Sequence, residues 1–176
     1  EYNKESLVVR NIPPRIFFKQ ETIPSSKKEN IIVWQGAVNI ERGLEELCEA
    51  MQWIDARLII MGVGDIKSDL EKKVKTLQLE NKIHFLGRLP FEEMMNKTKS
   101  AKLAISIDKA TNGNYAISLP NKIFEYIACS VPVLVSPLQE IKLIVEKHKT
   151  GEFLSSYNPQ ELAKQITNLL NDERKL

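Results

Sequence analysis

Leu103 to Val135, LAISIDKATNGNYAISLPNKIFEYIACSVPVLV, holds in one stretch an apolar run, a polar loop, an apolar helix and a second apolar run. That is the sequence form of a β-strand, a crossover helix and a parallel β-strand, a connection that is right-handed in nearly every protein. Leu103–Ile107 and Val131–Val135 are continuous apolar runs, as expected of strands covered on both faces. Between them, Asn121–Cys129 reads as a helix that is apolar on nearly every side once Lys122 and Glu125 are set aside, so it packs on several faces. Asp108 to Leu119 forms a long polar loop that delivers the chain to Lys122. Loops of this size inside a compact sheet are commonly functional or mobile.

The same alternation runs outward on both sides. Further strands are expected at Ile31–Gln35, Arg57–Met61 and Lys82–Leu86, with a weaker one at Glu152–Leu154. Helices are expected at Glu41–Gln52, Lys67–Gln78, Phe91–Lys99, Leu138–Lys147 and Pro159–Leu170, with Pro90 and Pro159 as start signals. Strands alternating with helices predict an α/β domain, an open, doubly wound, mostly parallel six-stranded sheet of Rossmann-like type ordered 3-2-1-4-5-6. Ligands of such sheets bind beyond the carboxyl ends of the strands, so the loops after Gln35, Met61, Leu86, Ile107 and Val135 are where a site is expected.

The chain has 176 residues, 43% hydrophobic and 27% charged, with a net charge of +2. These values fit one globular α/β domain and exclude disordered and fibrous classes. The charge is too mild and too evenly spread for a nucleic-acid surface, so no nucleic-acid partner is expected. No apolar run approaches the roughly 20 residues of a membrane-spanning helix, and no signal peptide opens the chain, which predicts a cytoplasmic location. Cys48 and Cys129 lie in apolar helical stretches and read as buried thiols, not as a disulfide. His84 and His148 show no metal-ligand spacing, so no metal is expected. Residues 1–30 are mostly polar and broken by Pro13, Pro14 and Pro24. They read as a linker arm before a domain at 31–176, in a chain that begins without methionine and is expected to be a piece of something longer.

Lys122 is the first anomaly of charge. It falls in the first helical turn, where unsatisfied N–H groups already concentrate partial positive charge and a bound anion would reverse the sign. Lys122 and Glu125, at i and i+3, share a face and suit a diphosphate and a ribose respectively. As a surface pair they would contribute only about 0.2–0.5 kcal/mol, in the less favoured orientation. Arg42 repeats the anomaly: Gln35-Gly36-Ala37-Val38-Asn39-Ile40-Glu41-Arg42-Gly43 places a cation in the opening turn of the next predicted helix. Glu41 balancing Arg42 at the surface is the plainer reading. Two such helix ends facing one crevice would clamp a phosphate-rich ligand.

Other loops offer weaker candidates. Gly36 and Gly64 stand at strand-to-helix turns, and Gly62-Val63-Gly64-Asp65 resembles the start of a dinucleotide fingerprint but has Lys67 in place of the third glycine. Backbone geometry alone also explains such glycines. Gly87 and Arg88 form a turn that either meets a base edge or is only a turn. Asn114 and Tyr115 in the long loop, and Asn121 at the helix start, suit sugar or phosphate contacts.

Together these pieces resemble the C-terminal, donor-binding half of a retaining GT-B glycosyltransferase of the group 1, glycogen synthase-like family, over the chain from about Asn11 onward. LPNKIFEYIACSVPVL, Leu119–Leu134, is similar to the family's P-x-K-x-x-E-x-M-A-x-G-x-P-V block. Arg42-Gly43, Gly62-Val63-Gly64, Phe85-Leu86-Gly87 and Asn11-Ile12-Pro13-Pro14 are lesser matches. The resemblance implies a nucleotide-sugar substrate and no cofactor, with Lys122 and Arg42 stabilising the leaving diphosphate and Glu125 accepting ribose hydroxyls. Gly36, Gly64, Gly87, Arg88, Asn114, Tyr115 and Asn121 would line the donor. Three positions depart from the pattern. Ile117 stands where the family has a glutamate touching the donor sugar, leaving Asn114, Tyr115 or Asp108 as substitutes. Ala37 replaces an arginine, and Ser130 replaces the glycine after the helix.

The resemblance implies a hexosyltransferase of polysaccharide or glycoconjugate synthesis, inactive as a lone domain. The acceptor glycan or lipid-linked glycan would bind an N-terminal domain outside this chain, with peripheral membrane association through the full-length protein. An epimerase of the same architecture would need acid and base groups at the sugar. A non-catalytic binding module would leave the strand-end loops without a phosphate ligand.

Overall fold

In a computed structural model of the chain, residues 9–19, 23–24, 27–111 and 113–172 are described. The expected arm thus lies partly outside the described residues, at 1–8, 20–22 and 25–26. Apolar runs form the strands β1 (Ile31–Gln35), β2 (Arg57–Met61), β3 (Ile83–Gly87), β4 (Leu103–Ser106), β5 (Val133–Val135) and β6 (Gly151–Phe153). The helices are α1 (Leu44–Ala50), α2 (Lys67–Thr76), α3 (Phe91–Lys99), α4 (Gly113–Ala116), α5 (Asn121–Ala128), α6 (Gln139–His148) and α7 (Pro159–Asn171). One six-stranded sheet is ordered β3-β2-β1-β4-β5-β6, with every pairing parallel. This is the expected Rossmann-like doubly wound order.

Alternate residues of β1 feed two cores, because successive side chains of a strand point to opposite faces. Ile32 and Trp34 pack with Leu44, Leu47, Leu162 and Ile166. Ile31 and Val33 pack on the other face with Ile123, Tyr126 and Val133. All five residues of β1 are buried, as a central parallel strand requires. Helix starts follow local chemistry: Asn158 accepts the N–H groups of Gln160 and Glu161 at the head of α7, with Pro159 behind it.

Three expectations are corrected. The helix expected from Glu41 begins at Leu44, because Glu41 (φ 67°) and Gly43 (φ 69°) are left-handed and break the helical path; Arg42 therefore precedes the helix. The strand expected from Val131 begins at Val133. Pro132 has no N–H to give the ladder, and the Val131 N–H is spent on the Tyr126 carbonyl. The long loop also contains a helical turn, α4, at Gly113–Ala116. Among the described residues no helix is long and apolar enough to cross a membrane.

Candidate functional site

Strand order reverses between β1 and β4, and the carboxyl ends of these strands open a crevice at that switch point. A cavity of about 340 Å³ fills it, with Trp34, Gln35, Gly36, Arg42, Lys122 and Glu125 in its walls. Helix α5 supplies the last two. Pro120 precedes it and no side chain caps it, so its first N–H groups keep their partial charge beside the cavity that Pro120, Asn121 and Lys122 line.

Lys122 is only 7% exposed, and its ammonium lies 4.7 Å from the centroid of the Trp34 ring. Its Nζ donates to Asp108 Oδ1 at 3.4 Å, and Arg42 Nη1 donates to Oδ2 of the same carboxylate at 3.1 Å. Asp108 is fully buried, just past the end of β4. A carboxylate of the fold itself thus partly offsets Lys122, and it binds both cations at once. Burial pulls Lys122 below the ordinary lysine range, Asp108 pushes it back up, and Arg42 depresses it further.

Arg42 reaches Asp108 by a close backbone approach. A Cβ on Gly43 would lie 2.6 Å from both the side chain and the carbonyl of Ile107, so only glycine lets the loop sit against the end of β4. The guanidinium is stacked on Tyr115 of α4, 4.7 Å from the ring centroid.

Glu125 is fixed from β1. Gln35 Nε2 donates to its Oε2, and Gln35 Oε1 accepts from Thr98 Oγ1 at 3.0 Å. The Gln35 N–H donates to Tyr126 Oη at 3.1 Å, and that hydroxyl donates to the Ile105 carbonyl at 3.3 Å. Burial raises the Glu125 carboxyl above its ordinary range, against the Gln35 hydrogen bond and the charge of Lys122.

A second cavity of about 330 Å³ shares Gly36, Ala37 and Met94 with the first and extends to Gly62, Val63 and Arg88. The crevice thus brings together Gly36, Arg42, Arg88, Asn121, Lys122 and Glu125, while Tyr115 reaches it through Arg42. Gly64 lines neither cavity: a Cβ there would meet the Val38 carbonyl at 2.3 Å, a packing role for the glycine. Gly87, left-handed at φ 67°, and the exposed Asn114 also stand outside both. Ile117 is 63% exposed and lines a separate cleft with Val9, Leu119 and Phe124. Asp108, expected as a substitute sugar contact, is occupied by its two cations. Gln35, Trp34 and Thr98 escaped the sequence reading. Gln35 alone leaves a local signal, a polar side chain ending a buried strand.

Chemically, the site offers two fixed cations and an uncapped helix start for an anion, beside a carboxylate held ready to accept hydroxyl donors. The family model described as Glycosyl transferases group 1 matches residues 16–176. An uncharacterized glycosyltransferase of Methanocaldococcus jannaschii is 27% identical over 148 residues, 82% of this chain and 36% of that protein. The chitobiosyldiphosphodolichol beta-mannosyltransferase of Candida albicans is 29% identical over 119 residues, 66% of this chain and 25% of that protein. The solved structure of Anabaena Alr3699/HepE in complex with UDP-glucose shares the fold, with a TM-score of 0.77 at 19% identity, over 96% of this chain and 49% of that one. The chain spans less than half of each of these relatives.

Proposed function

The chain belongs to the glycosyl transferases group 1 family, and on that premise we propose that it is the donor-binding half of a glycosyltransferase. It would hold a nucleotide-sugar whose sugar passes to an acceptor bound elsewhere in the protein. The observation that carries this reading is the convergence of Arg42, Lys122 and Glu125 on one cavity at the β1/β4 switch point. In the proposed complex the diphosphate lies against Lys122, Arg42 and the start of α5, and the ribose hydroxyls donate to Glu125.

Mechanistically, transfer breaks the bond between the sugar and the diphosphate oxygen, and negative charge grows on that oxygen. Fixed positive charge in a partly desolvated crevice stabilises this charge more than it stabilises the ground state. Arg42 and Lys122 are held in place before the ligand arrives, so little reorganisation is needed at the moment of reaction. The second cavity, with Arg88 at its edge, is the proposed seat of the base. The wider proposal is a hexosyltransferase of polysaccharide or glycoconjugate synthesis, working in the cytoplasm on a glycan or lipid-linked acceptor and touching the membrane peripherally through other parts of the protein.

Titration calorimetry with uridine, guanosine and adenosine diphosphates tests the donor site. One of them is expected to bind, and Lys122→Ala and Glu125→Ala should each weaken it at least about tenfold, the loss of a charged hydrogen bond. No detectable binding of any diphosphate or nucleotide-sugar would overturn the reading.

A further inference from the structure

We infer that Asp108 is a positioning residue of this site, its buried carboxylate gathering Arg42 and Lys122 into one fixed cationic clamp for an anionic ligand. The inference rests on the donor-binding reading for its ligand, and on the geometry of the chain for everything else. Asp108 does not itself line the cavity, whereas both of its partners do. Its backbone is held from several directions: Tyr157 donates to its carbonyl at 3.0 Å, Ser136 Oγ lies 2.8 Å from that tyrosine hydroxyl, and the next residue's N–H donates to Glu41 at 2.8 Å. The backbone that carries the carboxylate is therefore placed by the fold, and the carboxylate meets both cations from there.

The charges explain what it does there. Lys122 faces Asp108 from the end of β4, Arg42 from the loop before α1, the Trp34 ring from β1 and Glu125 from its own helix. Without Asp108, a largely buried ammonium would be left beside a guanidinium, with the half-buried Glu125 as the remaining carboxylate among these groups. A buried charge that loses its partner is costly, and a lysine escapes that cost by releasing its proton. The clamp would then lose a charge as pH rises. An alternative role for a carboxylate so near a diphosphate is simple repulsion, which predicts the opposite effect on affinity.

Asp108→Asn separates the two. In the ligand-free chain, the Lys122 Cε resonance, assigned by its loss in Lys122→Met, is followed by NMR against pH. Lys122 should lose its proton at least about one pH unit lower in Asp108→Asn than in the unmodified chain, a tenfold change in the equilibrium. Binding of uridine diphosphate at pH 7.5 and pH 9 is then compared, above the range where a terminal phosphate titrates. Asp108→Asn should bind more weakly than the unmodified chain, by at least about tenfold at the higher pH, with the loss shrinking as pH falls. Equal Lys122 titrations, or tighter binding by Asp108→Asn, would overturn the inference. If Asp108→Asn does not fold, the unmodified chain decides: a protonated Lys122 at pH 7 supports the clamp, and a neutral one overturns it. Should no diphosphate bind the unmodified chain, the donor-binding reading fails, and the ligand-free titration still decides the role of Asp108.

Discussion

Gln35 and Glu125 are joined side chain to side chain across 90 positions of sequence, tying the end of β1 to the middle of α5. The bond holds the carboxylate at the cavity wall and opposes the effect of burial on its protonation. Gln35→Leu removes the amide and leaves Glu125 more readily protonated. Uridine diphosphate should bind about tenfold more weakly at pH 7, the scale of a hydrogen bond to a charged group. The loss should shrink as pH rises, because a carboxyl held above its usual range regains its charge at higher pH. Calorimetry at pH 6, 7 and 8 checks both statements.

Glu125 itself works against stability at neutral pH. Its folded-state carboxyl is raised, first by burial, so its contribution to stability is fully present below the unfolded value near 4.5 and is lost as pH rises through the folded value. Glu125→Gln should therefore raise the Tm at pH 7, by about 2 °C given the residual solvent contact, and change it less at pH 4. The same variant should lose nucleotide affinity. Thermal melts at the two pH values, set beside one titration, test this opposition between stability and binding.

Ser130 marks a separate backbone cost. It follows α5 with φ 52°, a left-handed conformation that glycine adopts freely and serine does not. Lys28 Nζ donates to its carbonyl at 3.1 Å, a bond that a substitution would keep. Ser130→Gly should stabilise the chain by about 0.5–1 kcal/mol, a Tm rise of roughly 2–4 °C. Urea unfolding measures it, with no change expected in ligand affinity.

Gly43 predicts the reverse. Its left-handed φ and the 2.6 Å approach of Ile107 mean that any Cβ must displace the end of β4. Gly43→Ala should cost about 2–4 kcal/mol, as overpacking with backbone strain does. Because the same contact brings Arg42 to Asp108, nucleotide affinity should fall in the folded fraction that remains. Unfolding curves and calorimetry on one preparation read both effects.

These residues show which parts of the site were legible in the sequence. The strand order and the reach of α5 followed from apolar runs and helix signals, which are local. Lys122 and Glu125 were visible because an apolar helix made them conspicuous. Asp108 was offered only as a substitute sugar contact, not as the partner of two cations, and Gln35 was not offered at all. One follows a strand and one ends a strand, and in sequence both look like ordinary edges of apolar runs. Their roles exist only through partners brought close by the sheet: Arg42 lies 66 positions from Asp108, and Glu125 lies 90 from Gln35. The start of α1 was misplaced for a related reason. Left-handed Glu41 carries no compositional mark, and the signal lay in Gly43, whose tight packing against Ile107 is a tertiary fact.

Tyr115 separates sugar contact from support of the clamp. The sequence offered it as a sugar-binding residue, whereas its ring lies against the Arg42 guanidinium at 4.7 Å. A stack of this kind contributes about 0.5–1 kcal/mol at a partly exposed site, or a factor of roughly two to five in affinity if it only holds Arg42 in place. Tyr115→Leu should then weaken uridine diphosphate and UDP-glucose by the same factor, since both carry the diphosphate that Arg42 meets. Tyr115→Phe keeps the ring and should bind both as the unmodified chain does. If the hydroxyl touches the sugar instead, Tyr115→Phe will lose affinity for the nucleotide-sugar alone and leave the diphosphate unaffected. Titrating each variant with both ligands decides between the two roles, because only the first moves the two affinities together.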